Sequence, residues 1–132
     1  MLKQPESSAE VNSILEKYVH GCVSANGSLI REVFHPEAQL FGKFEGKTVT
    51  FAIEAWIDRL TGNPKPANDA KISDPPEDGI EWTIDHLVFD ENIAHATVVS
   101  RFLNVWYRDH MTLLQTEDGW KIVNKTFTYE KV

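Results

Sequence analysis

The 132-residue sequence predicts an α+β fold, in which helices pack on one face of an antiparallel sheet. Two observations indicate this class. Apolar residues recur at helical spacing in the first part of the chain, and from Glu81 onward they alternate as they do in strands. The length is typical of one domain, and neither a repeat nor a domain boundary is visible. We therefore expect a single domain over residues 1–132.

Three helices are predicted between residues 9 and 60. The first covers residues 9–27, where Ser7 or Ser8 and Glu10 are placed to form a capping box and Asn26-Gly27 ends the helix. Its apolar stripe consists of Val11, Ile14, Leu15, Tyr18, Val19 and Cys22. Ser28 is expected to cap a second helix over residues 29–34, which stops before Pro36. The third helix covers residues 52–60.

The remaining segments predict strands and loops. Residues 37–51, with Gly42 and Gly46 among β-favouring residues, are typical of a hairpin. Residues 61–79 are rich in proline, glycine and aspartate, which predicts a long loop. Four strands are then expected at residues 81–90, 93–105, 106–116 and 120–131, with tight turns at 90–92 and 117–119.

Composition excludes several classes of function. A net charge of −7 argues against nucleic acid as a partner, and no apolar run approaches the ~20 residues of a membrane span. The N-terminus lacks the apolar core of a secretory signal. Cys22 is the only cysteine, so we expect a cytoplasmic protein without a disulfide. No glycine-rich phosphate loop or metal-ligand spacing is present, and we expect no metal and no cofactor.

Three stretches resemble a known superfamily. "EKYVHG" in the first helix, "VFHPEAQLFG" before the hairpin and "DHMTLLQTEDGWKIVNKTF" at the end are similar to nuclear transport factor 2-like proteins. The similarity is greatest to the lumazine-binding branch, close to the polyketide-cyclase-like proteins. This resemblance implies a cone-shaped fold, with three N-terminal helices packed on a strongly curved antiparallel sheet. It also implies an apolar pocket between the helices and the concave face, but no single activity, because the superfamily contains both enzymes and binding domains.

The resemblance also extends to steroid isomerase-like members, which implies two catalytic candidates. A tyrosine late in the first helix corresponds to Tyr18, and a strand carboxylate corresponds to Asp109. The catalytic aspartate of those proteins falls at or near Gly42, which has no side chain, so the same mechanism is not expected. Strand alternation groups Asp109 with Met111 and Leu113, which favours a pocket-facing position over an exposed or ion-paired one. Together with the resemblance, it predicts that Asp109 points into the cone near Tyr18 and that His110 points outward.

Further residues are candidates for contact with a ligand. They are His35, Phe41, Trp56, Phe102, Tyr107, Met111, Lys125 and Phe127. Lys125 shares a strand face with Phe127, and three roles stay open for it: a partner of Asp109, an anchor for a ligand carboxylate, or a snorkelling side chain at the pocket edge. Asp109 could act as a proton donor or stay charged beside Lys125.

Two main functions remain open at this point. One is a binding module that holds a cyclic or heteroaromatic small molecule in the pocket. The other is a cofactor-independent enzyme of the isomerase, cyclase or dehydratase type that uses Asp109 and Tyr18. A protein-interaction domain with a filled cone is a third. A homodimer through the outer sheet face is also predicted, because Val99, Leu103 and Val105 are expected on one face and Val98 and Phe102 on the other.

Overall fold

The computed structural model describes residues 8–62, 81–102 and 105–131, without the side chain of Phe102. The described part contains three helices and six strands, which confirms the α+β class. In chain order they are α1 (Ser8–Ser24), α2 (Gly27–Val33), β1 (Phe34–Phe44), β2 (Lys47–Ala52), α3 (Ile53–Thr61), β3 (Glu81–Asp90), β4 (Ile93–Phe102), β5 (Val105–Thr116) and β6 (Gly119–Lys131). The third helix therefore follows the first two strands, so the three helices do not all precede the sheet.

The six strands form one sheet in the order β2-β1-β6-β5-β4-β3. All neighbours are antiparallel except β1 and β6, which run parallel, so the prediction of a wholly antiparallel sheet was wrong. Parallel neighbours need a long connection, and here the chain passes through β2, α3 and the β3–β5 meander before it returns beside β1. Register shifts interrupt three of the pairs, and such bulges bend a sheet. The strong curvature of a cone stays a prediction.

The junction between the first two helices differs from the prediction. Helix α1 ends at Ser24, and Ala25 takes a left-handed φ of 53°. Asn26 then caps α2: its side-chain oxygen accepts a hydrogen bond from the backbone N–H of Leu29 at 3.1 Å. The expected cap was Ser28, but that residue already lies inside the helix. Asparagine suits this position because its short side chain reaches the free N–H groups of the first turn.

The ends of β1 and α3 also differ from the predicted bounds. β1 starts at Phe34, directly after α2, and runs through His35-Pro36 into the predicted hairpin with β2. Helix α3 ends at Thr61, and Gly62 caps it with a left-handed φ of 75°, which suits glycine. The rest of the predicted 61–79 loop and the predicted cap at Ser7 lie outside the described residues. Glu10, expected in a capping box, accepts a hydrogen bond from the backbone N–H of Trp120 and so ties α1 to β6.

The predicted strand over residues 93–105 was wrong at its end. β4 stops at Phe102, and Val105 pairs with Phe102 as the first residue of β5. The alternation therefore restarts, and Val105 lies on the same sheet face as Val98 instead of the opposite one. The side chain of Phe102, together with Leu103 and Asn104, lies outside the described residues.

The inner face of the sheet, which the helices cover, has two halves. In one half, side chains such as Ala94, Leu113 and Ile122 are fully buried and belong to the same core cluster as Val11 and Leu15 of α1. In the other half, the later residues of α1 face β4, β5 and β6 across an open space. None of the helices within the described ranges is long and apolar enough to cross a membrane.

Candidate functional site

A cavity of about 450 Å³ lies between the inner face of the sheet, α1, β2 and α3. Helix α1 places residues there because its buried stripe continues one turn beyond the core. The lining residues are Tyr18, Val19, Cys22 and Val23 of α1; Phe44 and Glu45 at the β1 turn; Val49 and Phe51 of β2; Trp56, Arg59 and Leu60 of α3; and Ser100, Val105, Tyr107, Asp109, Lys125, Phe127, Tyr129 and Lys131 of the last three strands.

The floor of the cavity carries the two buried charges of the described residues, Asp109 at 3% exposure and Lys125 at 6%. Asp109 on β5 pairs with Val98 and Phe127, and Lys125 on β6 pairs with Met111 and Leu40. The two charged residues therefore lie diagonally on neighbouring strands, where the packed core gives way to open space. Burying a charge is costly unless it finds partners.

Tyr18 is the partner of Asp109. The tyrosine hydroxyl donates a hydrogen bond of 2.7 Å to Oδ2 of Asp109, and both groups are buried. Burial, with the nearby Asp109 carboxylate, raises the pKa of Tyr18 well above its usual range, so the hydroxyl keeps its proton. The second oxygen, Oδ1, is buried without a hydrogen-bond partner among the described residues. This geometry confirms that Asp109 points inward toward Tyr18. His110 on the opposite face is exposed, with Nδ1 3.5 Å from the Thr97 hydroxyl.

Three aromatic rings surround the ammonium of Lys125. Its Nζ lies 4.3 Å from the ring centroid of Trp56, 5.2 Å from that of Tyr18 and 5.3 Å from that of Phe127. These distances are within the range of cation–π attraction. The rings come from α3, α1 and β6, so the lysine is held by three separate elements. We call this arrangement of Trp56, Tyr18 and Phe127 the aromatic cage.

Two of the other polar groups that line the cavity have raised pKa values. Burial raises the pKa of the Cys22 thiol to about 11, although the Lys125 charge opposes the shift. Burial and the Asp109 charge also raise the pKa of Tyr107. Both groups therefore stay neutral at ordinary pH. The Cys22 thiol and the Tyr107 hydroxyl thus add no charge to the cavity, and its remaining charged lining residues, Glu45, Arg59 and Lys131, are exposed.

Gly42 stands at or near the position where steroid isomerase-like proteins carry their catalytic aspartate, and its surroundings explain why a side chain does not fit there. Gly42 pairs with Phe127 across the parallel β1–β6 contact. A Cβ at Gly42 would lie 2.4–2.7 Å from atoms of the Phe127 ring, which is closer than real contacts allow. The Phe127 ring therefore occupies the space that a side chain at Gly42 would need.

The predicted ligand-contacting residues divide into three groups. Trp56, Tyr107, Lys125 and Phe127 line the cavity together with Tyr18 and Asp109. Three others do not line it in the described part of the chain: Met111 is buried one step deeper in the core, Phe41 is 41% exposed, and His35 accepts a hydrogen bond from the backbone N–H of Glu37. The side chain of Phe102 lies outside the described residues.

Several cavity residues were not predicted. Tyr129 shares the strand face of Phe127, and Cys22 follows Tyr18 by one helical turn, so both were within reach of periodicity arguments. Phe51 and Arg59 could not be found that way, because only the packing of β2 and α3 over the open half of the sheet brings them to the cavity. No group of three potential metal ligands occurs among the described residues, and independence of metal and cofactor stays a prediction.

The family model described as "Putative lumazine-binding" matches residues 6–128. The chain belongs to this family. No curated protein matches it. The match includes every side chain of the cavity floor and of the aromatic cage, so the site lies within the family's common region.

Solved structures of similar proteins establish the fold as nuclear transport factor 2-like. A protein of unknown function from Silicibacter pomeroyi is 22% identical, covering 95% of this chain and 97% of that one with a TM-score of 0.79. Its counterpart from Shewanella baltica is 20% identical, with 98% of each chain covered and a TM-score of 0.80. A third, from Methylobacillus flagellatus, is 23% identical, covering 97% and 96% with a TM-score of 0.76.

Proposed function

We propose that this protein binds a flat cyclic or heteroaromatic small molecule in the cavity. The observation that carries the proposal is a largely apolar space of about 450 Å³ whose floor holds a buried carboxylate oxygen, Oδ1 of Asp109, without a donor among the described residues. Pockets of this size, apolar with a few polar groups, are typical of small-molecule sites. A ligand N–H or O–H would supply the missing donor, and ring faces would pack against a flat guest.

A titration with two flat probes tests this proposal. Lumazine itself, suggested by the family description, and 2-naphthamide carry N–H donors on ring systems of suitable size. We expect saturable one-to-one binding in calorimetry, together with a shift of the Trp56 indole signal in NMR spectra. Asp109→Asn should weaken lumazine binding about tenfold, the scale of one hydrogen bond to a charged group.

A matched control locates the effect. Asp118→Asn removes the same charge from an exposed turn and should leave both affinities unchanged. The proposal is wrong if neither probe binds, or if Asp118→Asn and Asp109→Asn weaken binding equally.

A second candidate is a cofactor-independent enzyme that uses Asp109 and Tyr18 for proton transfer. Oδ1 of Asp109, which has no hydrogen-bond partner within the described ranges and lies beside a protonated phenol, favours it. The absence of a side chain at Gly42, where steroid isomerase-like relatives carry their aspartate, favours simple binding. Deuterium incorporation at the α carbon of 2-tetralone in D2O would support the enzyme if Asp109→Asn abolished it. The same rate in the variant would contradict it. Membership of the polyketide-cyclase-like branch would fit either function.

We also infer a two-fold homodimer through the outer face of the sheet, which the helices leave uncovered. Val88, Val99 and Trp106 on this face are half-buried in one chain, and packing against a second copy would cover them further. Val105 was first expected on the outer face, but it lies on the inner face and so is not part of this interface. Light scattering at micromolar concentration should give twice the chain mass, and a monomer mass would refute the dimer. The single-domain organisation and the cytoplasmic location stay predictions.

A further inference from the structure

The aromatic cage encloses a lysine of this chain without giving it a counter-charge. The ion pairs among the described residues join Lys17 to Glu32, Arg31 to Glu54 and Arg101 to Glu81, and none includes Lys125. Asp109 is the nearest candidate by register, but neither of its oxygens comes within the 4.0 Å of an ion pair. Its Oδ2 is instead bonded to Tyr18.

Ring contacts alone do not balance a buried ammonium. A cation–π contact contributes about 0.5–2 kcal/mol, whereas removing an ion from water costs several kcal/mol. Three rings therefore offset part of the cost and fix the position of Nζ, but they supply no negative charge. An anion that entered the cavity would find the ammonium already held in place.

The other charged residues that line the cavity also favour an anionic ligand. The lining residues include three cations, Arg59, Lys125 and Lys131, against two anions, Glu45 and Asp109. The cavity is therefore one unit positive in a chain whose net charge is −7. Arg59, Lys131 and Glu45 are exposed, so the buried ammonium of Lys125 together with two exposed cations and one exposed anion favours an anionic guest in an otherwise acidic protein.

We infer that Lys125 is a specificity-determining residue which selects a ligand with a carboxylate or equivalent acidic group on its flat ring system. The acidic group contacts the caged ammonium, and the ring packs against the remaining apolar wall. This inference rests on the proposed binding function and names the chemical class of its ligand. In this arrangement Asp109 accepts a hydrogen bond from a donor at one end of the ligand, and Lys125 contacts the anionic group at the other end.

Three probes with the same ring and the same hydroxyl donor separate charge from shape: 6-hydroxy-2-naphthoate, 6-hydroxy-2-naphthamide and (6-hydroxy-2-naphthyl)methylammonium. We expect the carboxylate to bind about tenfold more tightly than the amide, and the ammonium to bind most weakly. Lys125→Met keeps an apolar side chain of similar length and should lower the affinity for the carboxylate to that for the amide. Lys125→Arg keeps the charge and should retain the order of affinities.

Lys43→Met is the matched control, because Lys43 is exposed, does not line the cavity and carries the same charge. It should leave all three affinities within about twofold. Equal affinity of the carboxylate and the amide for the unmodified protein would overturn the inference while the binding function stands. So would an equal loss for both probes in Lys125→Met, or tightest binding of the ammonium. If none of the three probes binds, the binding function itself fails, and the inference with it.

Discussion

Gly42→Ala gives the sharpest test of the packing that shapes this cavity. The new Cβ would lie 2.4–2.7 Å from three atoms of the Phe127 ring, about an ångström inside normal contact, so the ring must move. Overpacking of this kind costs about 1–3 kcal/mol of the free energy of unfolding. Because Phe127 also forms one wall of the aromatic cage, we expect the displaced ring to loosen the contact with Lys125.

The assay is a double-mutant cycle measured by urea unfolding. Phe127→Ala alone should cost about 2 kcal/mol, less than a fully buried phenylalanine because the ring is only half-buried. In Gly42→Ala/Phe127→Ala the clash is gone, so the double variant should be about as stable as Phe127→Ala, with a coupling of about 1–3 kcal/mol. Pairing Gly42→Ala with Phe89→Ala, on β3 at the far edge of the sheet, should give no coupling. A neutral Gly42→Ala, or costs that simply add in the first cycle, would refute the reasoning.

Three further outcomes are expected from the buried polar groups. Tyr18→Phe should lower the free energy of unfolding by about 2 kcal/mol or more, because it leaves the Asp109 carboxylate buried without its donor; an unchanged urea midpoint would contradict this. At pH 8, Cys22 should react with iodoacetamide about a hundredfold more slowly than a thiol with a pKa near 9, because its pKa is about 11; a normal rate would count against that environment. Raised pKa values favour the protonated folded state, so stability present below pH 9 should fall as the pH rises toward 11, and Cys22→Ala should reduce the fall.

Much of the fold was predictable because its signals are local. The stripe of α1 and the alternation along β5 and β6 depend on residues a few positions apart, and the structure places them as predicted, except at Val105, where the chain turns from β4 into β5. The parallel contact of β1 with β6 was missed because it joins segments about 85 residues apart, and neither strand's own pattern specifies its neighbour. The cap at Asn26 was missed because two polar residues on either side of Gly27, Asn26 and Ser28, both fit a helix start.

In the candidate site, too, the local features were predictable and the features that depend on tertiary packing were not. The inward direction of Asp109 was predictable from the alternation of its strand, and that of Tyr18 from the periodicity of its helix. Each prediction used only the local pattern of one element, and both elements face the same interior. The surroundings of Lys125 were not predictable, because its cage is assembled from a helix, a second helix and a strand that pack only in the finished fold. The distances remove one of the three roles left open for Lys125, because no ion pair with Asp109 forms. An anchor for a ligand carboxylate and a snorkelling side chain remain.

The separation of these two buried charges is itself an argument for function. A chain under pressure for stability alone would gain by joining Asp109 and Lys125 or by replacing both with apolar residues, since buried charges left apart are expensive. Here each charge is held by neutral groups, the carboxylate by the Tyr18 hydroxyl and the ammonium by rings. Each charge thus keeps binding capacity that the described residues do not satisfy, and both face the same cavity. Capacity of this kind is useful only to a guest that brings both a donor and an anion.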